Sequence, residues 1–188
     1  MRPAKTATVH VCALRHLPDM IEQTDARHLV SAIDGYFQPT TPPNVAADRH
    51  LRLQMHDIVE ARPDATLPAR HHVRQLVEFV RGWDRREPML IHCFAGLSRS
   101  TAAAFITLCA INPDTPEDVI ARALRRCSDT AVPNKLFVAL ADAELGREGR
   151  MSGALATMGP NRFAAECVPF GVDALHGPHD LNGAHQAA

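Results

Sequence analysis

The sequence is poor in rings, with one tryptophan, one tyrosine and seven phenylalanines among 188 residues, and no aromatic-rich recognition segment stands out in it. It also lacks charge of one sign: the formal net charge is -1 at pH 7, with acids and bases mixed along the chain. That leaves no electrostatic case for nucleic acid or an anionic membrane surface as partner, so any anion must be bound by local geometry. No apolar run approaches bilayer-spanning length, and the N-terminal MRPAKTATVHVCALRH has no long apolar stretch after its charges, so the chain reads as cytoplasmic. Five cysteines (Cys12, Cys93, Cys109, Cys127 and Cys167) are an odd number without CxxC spacing, which argues against a disulfide framework and against a zinc site. His71 and His72, and further on His176, His179 and His185, have no spacing that fixes three ligands, so no metal or cofactor is expected.

Nearly half the residues are apolar, enough for one domain with a real core. Alternation predicts strands over 6–13 and 49–55, with a shorter apolar strand at 30–33. Proline-led segments at 18–23, 116–126 and 133–146 predict helices. Val73, Leu76, Val77, Val80 and Trp83 recur at helical spacing within 69–83, and 88–92 is an apolar run of buried-strand type. A nearly unbroken apolar stretch over 99–111 predicts a buried helix. Alternating strands and helices imply an α/β fold: a central, largely parallel sheet of four to five strands flanked by helices. Residues 1–150 form the expected domain. A weaker extension follows at 151–175, with a helix at 151–158 and an extended stretch at 165–172 packing back on it, and 176–188 is expected to be a mobile tail.

The stretch MLIHCFAGLSRST at 89–101 concentrates the chemistry. A strand that runs into a short loop and then a helix aims backbone N–H groups and the helix N-terminus at one point, where an anion belongs. Gly96 permits the positive φ or close approach such a cradle requires, and Arg99 adds a planar fork matched to two phosphate oxygens. The remaining loop residues, Phe94, Ala95, Leu97 and Ser98, are uncharged and contribute backbone to the phosphate site. The same field favours the thiolate of Cys93, which then lies as a nucleophile under a bound phosphoryl group. Thiolates are also oxidation-prone, and a second cysteine could trap Cys93 as a disulfide, although spacing does not select one.

The segment HCFAGLSRS resembles the HCxxGxxR[ST] signature of the cysteine-dependent protein tyrosine phosphatase superfamily, matching every fixed position. The order of elements from about Val9 to Leu145 resembles the compact dual-specificity branch, and VPNKLF at 132–137 is similar to a Pro-Asn-x-x-Phe stretch that follows the signature in many members. The resemblance implies Cys93 as the nucleophile that forms a phosphocysteine and Arg99 as the phosphate and transition-state clamp. It further implies that His92 orients the loop, that Ser100 stabilises the departing thiolate, and that Asn134 braces the loop from behind. The family takes its general acid, an aspartate, from a loop some three dozen residues before the cysteine. Asp57, at the end of the strand 51–55, fits that place; Asp64, in Arg-Pro-Asp, is the rival because it resembles a Trp-Pro-Asp form of the loop.

The expected substrate is a phosphorylated protein or small phosphomonoester, phosphotyrosine first with dual specificity open. An uncharged loop disfavours phosphoinositides. Two alternatives stand beside this reading: a rhodanese-like sulfurtransferase, which also cradles an anion over a cysteine, and a non-catalytic phosphate-binding module.

Overall fold

The computed structural model describes residues 7–174; Thr6, at the expected start of the first strand, and the 176–188 segment with its three histidines lie outside the described residues. The elements run β1 (Thr8–Ala13), α1 (Leu17–Thr24), β2 (His28–Ile33), β3 (His50–Gln54), α2 (Arg70–Arg81), β4 (Met89–Cys93), α3 (Arg99–Ile111), α4 (Glu117–Cys127), α5 (Lys135–Glu144), α6 (Arg150–Thr157) and β5 (Phe170–Asp173). Short 3₁₀ turns at Leu14–His16, Gly35–Phe37 and Ala47–Arg49 lie between them.

The five strands form one sheet in the order β3-β2-β4-β1-β5. β4 is parallel to both β1 and β2, β2 is parallel to β3, and only β5 runs antiparallel, against β1. The chain reaches β4 last among the parallel strands and inserts it between β1 and β2, so the loops leaving β1, β2 and β3 all surround the exit of β4. Such a switch point at the carboxyl ends of parallel strands is where α/β sheets bind ligands.

Side-chain alternation assigns each face of the sheet its own core. Val9, Val11, Val30, Met89 and Ile91 point to the larger one, shared with α2 to α6. Cys12, Leu29 and Leu90 point to the smaller one, shared with Leu17, Met20 and Ile21 of α1. α3 is buried from Arg99 to Cys109, which explains why its sequence shows no polar face. The prolines expected inside α4 and α5 sit just before them: Pro116 is the residue flanking α4, and Asn134, after Pro133, caps α5 by accepting the Phe137 N–H at 3.0 Å.

The 151–174 stretch is tied in by hydrogen bonds and sheet pairing. Buried Asp142 of α5 accepts from Gly149 N at 2.6 Å and Ser152 N at 2.8 Å, supplying the N-terminal cap that α6 lacks in its own sequence. Asn112 Nδ2 donates to Ala174 O at 2.8 Å beyond β5. At Gly171 a Cβ would come within 2.9 Å of His10 Nδ1 and Thr8 Cγ2, so a larger residue there would have to displace those β1 side chains.

Three buried histidines give stability a pH dependence. Burial is the first cause that pushes His50, His72 and His92 each down to about 4. Their unfolded value is about 6.5, so between these limits the unfolded chain binds more protons than the folded one. Stability is therefore full above about pH 6.5 and lost as pH falls toward about 4. Urea midpoints should drop measurably between about pH 7 and about pH 5, before most carboxylates titrate; a flat profile over that window would contradict the assignment.

Candidate active site

The loop from Cys93 to Arg99 is held by its carbonyls. Phe94 O accepts from Leu14 N at 3.1 Å, Ala95 O from Cys167 N at 2.9 Å, and Leu97 O from Val132 N at 2.9 Å. Ser98 O accepts from Ala102 N at 2.9 Å and Asn134 N at 3.3 Å. In a trans peptide the C=O of one residue opposes the N–H of the next, so anchoring these four carbonyls outward turns the N–H groups of Ala95, Gly96, Ser98 and Arg99 inward. One inward contact is explicit: Gly96 N donates to Cys93 Sγ at 3.2 Å. Ser100 Oγ lies 3.1 Å from the same sulfur, at the first turn of α3. The thiol is only 2% exposed.

Gly96 has φ +72°. A Cβ there would overlap Cys167 Sγ and come within 2.9 Å of Ala13 N and the Cys12 carbonyl carbon. The loop thus lies against β1 on one side and the C-terminal stretch on the other. Alanine at 96 should cost more than about 2 kcal/mol in denaturant unfolding, combining a left-handed backbone with a backbone clash. Adding Cys167→Ala should recover only part of that loss, because the β1 backbone still blocks the Cβ; full recovery would mean that sulfur contact alone fixes the loop.

Arg99 is 6% exposed, and its Nη1 donates to Met55 O at 2.9 Å, at the end of β3. Its Nε is buried without a hydrogen-bond partner among the described residues. A guanidinium N–H left unpaired in the interior is costly, and an oxyanion seated on the loop would satisfy it.

The segment after β3 carries both candidate acids. His56 N donates to Thr66 O at 2.8 Å, and Thr66 N donates to His56 Nδ1 at 2.9 Å, a double clamp that closes the excursion between them. Asp57 stands at the clamp: its Oδ1 accepts from Ser98 Oγ at 2.6 Å and from Asn134 Nδ2 at 3.0 Å. Asp64 lies two residues before Thr66, exposed, at φ 58°. Of the two, only Asp57 is hydrogen-bonded to the loop. Asn134, expected to brace the loop, donates its backbone N–H to Ser98 O and links Asp57, the Ile58 carbonyl (3.3 Å) and the start of α5 through its side chain.

His92 shares a sheet face with Ser31, its register partner on β2. Its Nδ1 lies 3.4 Å from Cys93 O and its Nε2 2.6 Å from Ser31 Oγ; Ser31 Oγ is 2.8 Å from His50 Nε2, and His50 Nδ1 is 3.0 Å from Thr41 Oγ1. Both histidines are neutral at pH 7 because burial holds them near 4. A carbonyl can only accept, so His92 Nδ1 donates, and every other direction follows: Ser31 donates to His92, His50 to Ser31, and Thr41 to His50. Sequence inspection finds His92 but not this relay, whose members lie on three different strands and a loop.

Of the other thiols, burial pushes Cys167 up to about 12 and Cys12 and Cys109 higher still, so they are held as thiols. Among the described residues no cluster of three or more His, Cys, Asp or Glu side chains is placed to hold a metal ion, and no helix is long and apolar enough to cross a membrane.

No protein-family model and no curated protein matches the sequence. Solved structures do match. Human DUSP28 superposes with TM-score 0.58 at 14% identity, over 74% of this chain and 89% of that one. PTPMT1, solved in complex with PI(5)P, gives TM-score 0.57 at 17% identity, over 79% and 94% of the two chains. DUSP15 gives 0.54 at 16% identity, over 84% and 92%. At such identities the likeness is one of fold: a mostly parallel five-stranded sheet with its helices, of the compact dual-specificity type.

Proposed function

We propose that this chain, with the fold of the compact dual-specificity phosphatases, is a cysteine-dependent phosphomonoester hydrolase, acting first on phosphotyrosine with dual specificity open. The observation that carries the reading is the conjunction at one loop: a buried thiol receiving an N–H and facing a hydroxyl, inward amides, and a buried guanidinium with an unpartnered Nε.

In the first step the Cys93 thiolate attacks phosphorus in line as the ester oxygen leaves, while Arg99 and the loop amides hold the equatorial oxygens. Asp57 delivers a proton to the departing oxygen; its Oδ1 is engaged by Ser98 and Asn134, which leaves Oδ2 for the proton. In the second step Asp57, now ionised, takes a proton from water as that water attacks phosphocysteine, and Ser100 Oγ donates to the sulfur that leaves as thiolate. His92, directed by Ser31, positions the Cys93 peptide. The uncharged residues 94–98 give a phosphoinositide headgroup no second cationic site in the loop, which favours a phosphorylated protein or a simple phosphomonoester.

Phosphate release from a generic aryl phosphate, with reductant and without added metal, tests this reading. Turnover supports it. Binding of phosphate without turnover by folded, reduced protein would favour a phosphate-binding module, and persulfide formation from thiosulfate would favour sulfur transfer.

A further inference from the structure

Three of the few aromatic side chains meet at the rim of the loop, although Phe94 lies far along the chain from the adjacent Tyr36 and Phe37. Phe94 directly follows Cys93 and is 51% exposed. Phe37, 41% exposed, packs on it with ring centroids 5.1 Å apart at 62°, and Tyr36, 88% exposed, packs on Phe37 at 4.9 Å and 87°. The topology explains the meeting: β2 and β4 are parallel neighbours, so the turn leaving β2 and the loop leaving β4 emerge side by side.

These rings contribute little to the core, being among the exposed large apolar side chains of the described residues, and Tyr36 and Phe37 sit on a turn that is pinned. Gln38 Nε2 donates to Ile33 O at 2.9 Å and to Ser31 O at 3.3 Å, and Phe37 N donates to Asp34 O at 3.2 Å. A fixed apolar surface left in water beside an anion cradle is suited to a ligand that carries an anion on one end and a flat apolar body on the other. Edge-to-face packing among the three also leaves ring faces open for a further ring.

We infer that Tyr36, Phe37 and Phe94 form a stacking platform that selects aryl over alkyl phosphomonoesters. The inference rests on the phosphatase reading for the position of the phosphoryl group, and it adds two specificity determinants, Tyr36 and Phe37, that lie outside the loop signature. A phosphate seated on the loop amides places its ester substituent at the rim beside Phe94. An aromatic substituent gains ring contact there, whereas a serine-type methylene is too short to reach Phe37.

Binding of phenylphosphonate and methylphosphonate, measured by calorimetry, tests this without any leaving-group effect. Wild type should bind phenylphosphonate about tenfold more tightly. In Tyr36→Ala/Phe37→Ala that preference should collapse toward unity while methylphosphonate binding stays unchanged; Phe37→Leu, which keeps apolar bulk, should lose most of it too. Equal binding of the two phosphonates by wild type, or an unchanged preference in both variants, would overturn the platform. Failure of both phosphonates to bind would overturn the phosphate site and the platform together. Selective phenylphosphonate binding by a protein that hydrolyses nothing would keep the platform and remove the phosphatase reading.

Discussion

Serine at position 93 is expected to abolish phosphate release while leaving phosphate binding intact. The substitution exchanges sulfur for oxygen and little else, so the 3.2 Å approach of Gly96 N and the neighbouring Ser100 hydroxyl can be kept, with the fold around them. A hydroxyl is a weak nucleophile unless a base activates it, and among the described residues the 93 side chain has hydrogen-bonding contact only with an amide N–H and another hydroxyl. Phosphocysteine therefore cannot form. Arg99 and the loop amides remain, so phosphate analogues should still bind. Retained turnover in folded Cys93→Ser protein would remove Cys93 from the chemistry.

Asparagine at position 57 should lower kcat/KM by about 10²–10⁴-fold for an alkyl or unactivated aryl phosphate, and much less for an activated aryl ester whose leaving group needs no proton. The change is suited to separating chemistry from structure. In Asp57→Asn the side-chain amide still offers a carbonyl oxygen to Ser98 Oγ and Asn134 Nδ2, the two groups whose hydrogen bonds Asp57 accepts. Asp64→Asn should leave the rate near wild type, because Asp57 and not Asp64 is hydrogen-bonded to the loop. If Asp64→Asn carries the leaving-group-dependent loss instead, the acid is assigned to the wrong residue.

What could be read from the chain and what could not divides along sequence separation. The interval from Cys93 to Arg99 is short and each residue acts through local backbone geometry, so strand, loop, glycine and helix start were all legible; the positive φ of Gly96 agrees with the reading. The long apolar run of α3 likewise announced its burial. The strand-end position of Asp57 was visible, but its hydrogen bonds to Ser98 and Asn134, and the closure between His56 and Thr66, are recorded by no periodicity. The relay from His92 through Ser31 to His50 depends on parallel register, and the seating of Cys167 against Gly96 depends on the path of the final segment. The poverty in aromatic residues gave no hint that Tyr36, Phe37 and Phe94 meet, because that contact depends on the sheet order that sets the turn after β2 beside the loop after β4.

The most direct test of the central claim is to mix the protein with an aryl phosphate, quench in acid within a turnover, and search the digested chain by mass spectrometry for a phosphoryl group. The account predicts one labile phosphoryl group on the peptide containing Cys93, accumulating further in a variant that lacks Asp57 as base when the leaving group is activated, and absent in Cys93→Ser. Steady turnover with phosphate on no cysteine, or on a residue other than Cys93, would contradict it.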